Sequence, residues 1–223
     1  MLLVAVDMHL RTMNTSYKEK LKGLEECKDS VEVLILGTSH ATYGVDPAQI
    51  DMFAYNLASD NQSIYFDKRL TLRYLDKLPK LKYALISIDY HSLYFSSQGV
   101  RDVWSYYGHG IPYKGNTHLK ERISPFLFGY TPKIAYITIV RDIKRRIKYR
   151  GQKTMDFDVS DGIDITKLPY RGFYASNGNP ADMNEGLYEV RISEFWWVHK
   201  EPSEYEEVLA DLEDFIQTLQ SRG

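Results

Sequence analysis

The stretch VEVLILGTSH, at residues 31–40, decides the fold class. Its first six residues are nearly all apolar and rich in β-branched side chains, and Gly37 ends the run. A run this short and this apolar is typical of a strand buried on both faces of a parallel sheet. Ligands of open parallel sheets bind outside the carboxyl ends of the strands, so Ser39, in the loop just past this strand, is placed where a nucleophile could act. Gly37 permits a tight turn and a close approach of backbone.

Two further strands follow the first along the chain. Residues 53–58 form a weaker strand pattern, and residues 83–89 read as a third buried strand. A helix is predicted between them, over residues 60–78. Alternation of strands and helices favours an α/β fold with a parallel sheet and helices on its faces. Other helices are predicted over residues 14–29, 132–150 and 203–222.

The length of 223 residues favours one α/β domain over residues 1–223. We expect its core in residues 31–90 and 203–223, and a large insertion over about residues 91–200, where long irregular stretches occur. The last helix ends in Ser-Arg-Gly, a pattern with which an α/β unit passes to its next strand. We therefore expect that the chain stops inside a βα repeat and that two strands of the sheet are missing.

Composition excludes several classes of partner and site. A net charge of −2 gives no reason to expect a nucleic-acid partner. Cys27 is the single cysteine, so neither an intrachain disulfide nor a cysteine-based metal site is expected. The apolar residues 1–7 are too few to span a bilayer and lack the basic region of a signal peptide. They could be the tail of a membrane anchor absent from this sequence, or a short strand or frayed terminus.

Four short motifs follow one another along the first half of the chain. They are Gly37-Thr38-Ser39-His40, Gly44-Val45-Asp46-Pro47, Tyr55-Asn56-Leu57-Ala58 and Gln62-Ser63. In this order they resemble the SGNH (GDSL-type) serine hydrolases, and in particular a group of uncharacterised, often membrane-tethered bacterial SGNH-like proteins. The resemblance covers roughly residues 10–95 and implies a flavodoxin-like, three-layer α/β/α sandwich.

The resemblance also implies roles for individual residues. Ser39 would be the catalytic nucleophile, and its backbone N–H would form part of the oxyanion hole. Asn61 stands where the family has a glycine whose N–H is a second donor. His91, with Asp89 just before it, stands where the family has an asparagine side chain. Gly37, Asp89 and His40 would be accessory residues of the site.

The activity that the resemblance implies is that of an esterase or O-acyltransferase. Its expected substrate is a carbohydrate-linked ester of the bacterial cell envelope, and its chemistry needs no metal or organic cofactor. The expected location is the cell envelope, tethered to the membrane or extracytoplasmic, although the low cysteine content is equally compatible with the cytoplasm.

The chain departs from the family in its general base, because residues 200–223 contain no Asp-x-x-His motif and the last histidine is His199. A serine hydroxyl needs a base to be nucleophilic at neutral pH. We expect the base to lie beyond residue 223, with replacement by another histidine as the alternative. His40 is poorly placed to serve its own neighbour, and His91 is the better candidate for a functional histidine. Two alternatives stay open: Ser39 could be only a helix N-cap, and the protein could be an inactive module that binds glycan or a protein partner.

Overall fold

The computed structural model describes most of the first half of the chain and several later segments. These are residues 2–13, 15–89, 91–94, 106–111, 119–128, 132–148, 150, 170–173 and 202–222. Contacts divide the chain into two compact units, Met1–Lys22 with Gln98–Leu168 and Gly23–Ser97 with Pro169–Gly223. Most of the predicted insertion, with the histidines His118 and His199, lies outside the described residues.

The second unit contains a parallel three-stranded sheet with the order β2-β1-β3. Its strands are β1 (Val33–Leu36), β2 (Ala54–Asn56) and β3 (Tyr83–Ile86). In the register of the sheet, Val33 of β1 pairs with Ala54 on one side and with Tyr83 on the other. Every residue of β1, the central strand, is buried, as the apolar run predicted.

The third strand is less buried than the sequence indicated. The side chains of Tyr83 and Leu85 are 58% and 40% exposed, and the strand ends at Ile86. The prediction of a third strand is therefore confirmed, but the strand is shorter than predicted and it is not buried. Tyr83 and Leu85 alternate with Ala84 and Ile86, so they lie on the same face of the strand, and that face is more exposed than the opposite one.

In the part of the second unit that the structure describes, four helices lie wholly or partly. They are α2 (Ser16–Cys27), which begins in the first unit, α3 (Ser39–Gly44), α4 (Ile64–Leu75) and α8 (Pro202–Ser221). Ile64 of α4 packs with Val208 and Leu212 of α8, beside Ile86 of β3. On β1, Val33 and Ile35 pack in a second cluster with alanines from α3 and from the β2 segment.

A short turn at residues 170–173 borders β2. The N–H of Asn56 donates to the carbonyl oxygen of Arg171 (2.8 Å). Gly172 has a φ of +80°, and a Cβ at this position would lie 1.9 Å from the carbonyl oxygen of Asn56. A glycine is needed here because the turn runs directly against the strand.

The first unit is helical in the part that the structure describes. Leu10 and Met13 pack with Ala135 and the half-buried Phe126 to form its apolar cluster. Its helices are α1 (Leu2–Thr12), the start of α2, α5 (Leu119–Ile123), α6 (Pro125–Phe128) and α7 (Pro132–Lys148).

The N-terminal residues form a helix, so the expectation of a short strand or frayed terminus is wrong. Leu10, in the second half of α1, is buried, whereas Leu2, Leu3 and Val4 are exposed. The whole segment is therefore helical, although its first residues are not packed. Among the described helices, none has the length and apolar character needed to cross a membrane.

Candidate functional site

The site begins with the turn that ends the central strand. Gly37 is buried and has a φ of +122°, a conformation that residues with a side chain rarely adopt. A Cβ at this position would lie 2.7 Å from the Cβ of Ser87 and 2.9 Å from its carbonyl oxygen. Only glycine fits, because the loop after β3 passes directly against this backbone, in agreement with the close approach predicted from the sequence.

Backbone hydrogen bonds join the loops that follow the three strands. The N–H of Ser87 donates to the carbonyl oxygen of Leu36 (3.1 Å), and the N–H of Ser59 donates to that of Gly37 (3.1 Å). These bonds hold the three loops together at the carboxyl edge of the sheet, which is where open parallel sheets bind their ligands.

The side chain of Asn56 fixes helix α3 against the end of β2. Asn56 is fully buried, and its amide nitrogen donates to the carbonyl oxygens of Ala41 (2.8 Å) and Val45 (2.9 Å). Its amide oxygen accepts from the N–H of Ala58 (3.1 Å). Both N–H groups of a buried amide are thus used to hold the end of β2 against α3, whose first residue is Ser39, and against Val45, which follows the helix.

Ser39 is the first residue of α3 and not its N-cap. The N-cap is Thr38, whose hydroxyl oxygen accepts from the N–H of His40 (3.4 Å). The Ser39 side chain is half-buried, and its hydroxyl forms no hydrogen bond with another residue in the described part of the chain. The alternative that Ser39 serves only as an N-cap is therefore wrong, because its neighbour fills that position. The N–H of Ser39 has no acceptor inside the helix.

The carboxylate of Asp89 connects the loop after β3 to the Ser39 turn. Its Oδ2 accepts a short hydrogen bond from the hydroxyl of Thr38 and lies 2.9 Å from Nδ1 of His40. Nε2 of His91 lies 4.0 Å from the same oxygen, and the centroids of the two histidine rings are 6.2 Å apart. One carboxylate is thus surrounded by a hydroxyl and two imidazoles next to Ser39.

The charge of Asp89 is stabilised by these neighbours. Partial burial acts to raise the pKa of Asp89, but hydrogen bonds from Thr38 and His40 and the charges of His40 and His91 outweigh it, so the pKa lies below its ordinary value. Asp89 faces Nδ1 of His40, so Nε2 is the ring nitrogen on the far side of the imidazole from the carboxylate. The His40 side chain is 63% exposed and therefore accessible to a substrate.

Asn61 lies in the turn after β2. Its φ of +54° is in the left-handed region, which glycine adopts freely and which asparagine tolerates better than most residues. The N–H of Gln62 closes this turn on the carbonyl oxygen of Ser59 (3.0 Å). The hydroxyl of Tyr43 in α3 donates to Asp60 (3.0 Å), which ties α3 to the same turn. Asn61 thus has a backbone conformation that glycine adopts freely.

A buried acid, Asp67, lies beneath the Ser39 turn and was not identified from the sequence. Its Oδ1 accepts from the N–H of Gly37 (3.0 Å) and from Nε2 of Gln62 (2.6 Å). Complete burial raises the pKa of Asp67 to about 7, and the two hydrogen bonds only partly offset that rise. The signal in the sequence is an aspartate between Ile64 and Leu70 on the apolar face of a predicted helix, where an acid is rarely left without partners.

The structure therefore brings together all the residues singled out from the sequence: Gly37, Ser39, His40, Asn61, Asp89 and His91. Ser39 and His40 lie at the start of α3 and the others lie in loops, all at the carboxyl edge of the sheet in the second unit. Among the described residues, no group of three or more histidine, cysteine, aspartate or glutamate side chains is arranged to hold a metal ion.

Comparison of the chain with protein-family models, with curated proteins and with solved structures found no match.

The raised pKa of Asp67 makes the free energy of unfolding depend on pH. An unfolded aspartate has a pKa of about 3.9, so between pH 4 and 7 the folded protein retains a proton that the unfolded chain releases. The stabilisation from this group is complete below pH 4 and is lost as the pH rises through 7. Asp89, with its lowered pKa, acts in the opposite sense and only at more acidic pH.

Replacing Asp67 by Asn removes the titration and isolates its contribution. The unfolding free energy of Asp67→Asn minus that of the wild type should increase by about 2–3 kcal/mol as the pH rises from 5 to 8. Urea unfolding of both proteins across that range measures the difference. A difference that does not change with pH would mean that Asp67 is ionised throughout the range.

Proposed function

We propose that the protein is a serine esterase or O-acyltransferase of the SGNH type, and that its substrate is an ester of a carbohydrate or cell-envelope polysaccharide. The observation that carries the proposal is the half-buried Ser39 hydroxyl at the carboxyl edge of the central strand, beside the Asp89–His40 pair (2.9 Å). A serine hydroxyl, a histidine and a carboxylate that orients the histidine are the parts of an activated serine nucleophile.

The finer fold assignment is part of the same proposal. The strand order β2-β1-β3 agrees with the first three strands of the flavodoxin-like order 2-1-3-4-5. We propose that the described sheet is the start of a flavodoxin-like, three-layer sandwich. The proposed location at the cell envelope depends on the resemblance alone.

The proposed reaction proceeds through an acyl-enzyme. Oγ of Ser39 attacks the ester carbonyl carbon while Nε2 of His40 takes its proton. The carbonyl oxygen becomes an oxyanion that accepts from the N–H groups of Ser39 and Asn61, with His91 as a third donor. Collapse breaks the ester C–O bond, and the departing sugar oxygen takes the proton from His40. Water then releases the acid, or a second hydroxyl accepts the acyl group, and Ser39 recovers its proton.

The proposal of His40 as the base departs from two expectations, that the base lies beyond residue 223 and that His40 is poorly placed to serve its own neighbour. Asp89 contacts Nδ1 of His40 at 2.9 Å, whereas it lies 4.0 Å from His91. A carboxylate on Nδ1 orients a histidine so that its other nitrogen faces the reaction. The base can therefore come from this chain, even though residues 200–223 hold no Asp-x-x-His motif.

Labelling with a fluorophosphonate tests the nucleophile. We expect one covalent adduct, located on Ser39 by peptide mass spectrometry, and its loss in Ser39→Ala. Ester hydrolysis should fall at least about 100-fold in the same variant, because the residual catalysis comes only from binding and the oxyanion hole. Ser59→Ala is the matched control, since Ser59 supports the site through its backbone N–H.

An unlabelled wild-type protein, or an adduct that persists in Ser39→Ala, would overturn the proposal. Either result would leave the other candidate function, that of an inactive module that binds glycan or a protein partner at the same edge of the sheet.

Replacing the two histidines one at a time tests the roles of base and donor. We expect His40→Ala to lower the labelling rate by about 100-fold or more, as the loss of a general base does. His91→Ala should lower it by about 10-fold or more, as the loss of one oxyanion donor does. His109→Ala, in the first unit, is the control and should leave the rate unchanged. A wild-type rate in His40→Ala would show that the base lies elsewhere.

A further inference from the structure

One buried oxygen atom links the two turns from which the proposed oxyanion donors come. Asp67 is 1% exposed and projects from α4 beneath the Ser39 turn. Its Oδ1 accepts from the N–H of Gly37, two residues before Ser39, and from the amide nitrogen of Gln62, one residue after Asn61. Both hydrogen bonds are accepted by the same oxygen atom. A shift of either turn that moves this atom therefore changes its hydrogen bond to the other turn.

The Gly37 N–H needs an acceptor outside the sheet. The carbonyl oxygens of Leu36 and Gly37 are taken up by N–H groups of Ser87 and Ser59 from the neighbouring loops. The positive φ of Gly37 turns the chain away from the strand direction, and the N–H of Gly37 donates to Asp67 instead. Without that acceptor, a buried backbone donor would be left unsatisfied at the turn that leads to Ser39.

The amide of Gln62 fixes the second turn in the same way. Gln62 is also 1% exposed, and its Nε2 donates to the carbonyl oxygen of Leu57 (3.3 Å) as well as to Asp67 (2.6 Å). The N–H of Leu57 donates in turn to Ile35 of β1 (2.8 Å). The residue next to Asn61 is thereby held both to the central strand and to the acid below it.

We propose that Asp67 is a positioning residue for the reaction, which holds the Ser39 turn and the Asn61 turn at the separation that the oxyanion requires. The inference rests on the proposed function and deepens it. Asp67 is buried and contacts no substrate, so it acts only through Gly37 and Gln62. Displacement of a catalytic group by about 1 Å can cost about 100-fold in rate.

An acidic side chain at position 67 agrees with the proposed positioning role. Both of its donors are neutral, and no cation pairs with Asp67 among the residues that the structure describes. An apolar side chain would avoid the cost of burying a carboxyl group but would leave two donors unpaired. A carboxyl oxygen is an acceptor for both, and it stays one when the other oxygen carries a proton.

Variants of Asp67 test the inference by the rate of fluorophosphonate labelling at Ser39. Asp67→Leu removes the acceptor, and we expect the rate to fall at least about 30-fold, within the range set by a displaced oxyanion donor. Asp67→Asn keeps an acceptor oxygen and should restore the rate to within about 5-fold of the wild type. Gln62→Leu keeps the bond from Gly37 to Asp67 but removes the link to the Asn61 turn, together with the bond to Leu57. Its rate should fall between those of the two Asp67 variants, and it gives a second variant if Asp67→Leu does not fold.

Thr71→Val is the matched control for lost stability. Thr71 is fully buried one turn further along α4, and its hydroxyl donates only to the backbone carbonyl oxygen of Asp67 (2.8 Å). We expect Thr71→Val to label at the wild-type rate when all variants are assayed well below their melting temperatures. Hydrogen exchange of the amides at residues 37–40 supplies a readout that does not need activity. Exchange there should accelerate in Asp67→Leu or Gln62→Leu and not in Thr71→Val.

The outcomes separate the inference from the proposed function. If wild-type Ser39 is labelled and a folded Asp67→Leu or Gln62→Leu variant is labelled equally fast, the inference is overturned and the proposed function stands. If wild-type Ser39 is not labelled, the proposed function fails, and the role of Asp67 in the reaction fails with it. Unchanged exchange at residues 37–40 would overturn the inference in either case.

Discussion

The structure of the site depends on the peptide unit of Gly37, at the point where the central strand leaves the sheet. Its carbonyl oxygen is held by Ser59 and its N–H by the buried Asp67. Its missing side chain leaves room for the backbone at Ser87. A residue with a Cβ would have to displace one loop and adopt a strained φ, so the three contacts together explain why the chain turns here and exposes Ser39 immediately afterwards.

Two acids in opposite environments, Asp89 and Asp67, form hydrogen bonds with the residues that precede Ser39. Asp89 is partly exposed and receives hydrogen bonds from a hydroxyl and an imidazole, so its pKa is lowered and it remains ionised. Asp67 is buried with neutral donors, so its pKa is raised to about 7. Pairs of acids whose environments separate their pKa values are typical of active sites, because each acid can then perform a different task. Here we assign one acid to orienting His40 and the other to positioning backbone.

Local patterns in the sequence predicted the parts of this arrangement that depend on neighbouring residues. The apolar run of β1 and the glycine after it are enough to predict a buried strand, a tight turn and a serine at the edge of the sheet. The same patterns did not predict the features that depend on contacts between residues far apart in the sequence. The exposure of β3 depends on what covers the sheet, and the partners of Asp67 include Gly37, which lies 30 residues earlier in the chain. The identity of the N-cap depended on a carboxylate from another loop, because Asp89 fixes the side chain of Thr38.

The central claim is that the Ser39 hydroxyl faces backbone amides that can hold negative charge. A crystal structure of the protein after reaction with a small organophosphonate tests it most directly, because the phosphorus mimics the tetrahedral carbon of the reaction. The account predicts phosphorus bonded to Oγ of Ser39 and a phosphoryl oxygen about 3 Å from the backbone nitrogens of Ser39 and Asn61. A phosphoryl oxygen turned away from both amides, or a Ser39 side chain packed into the interior, would contradict it.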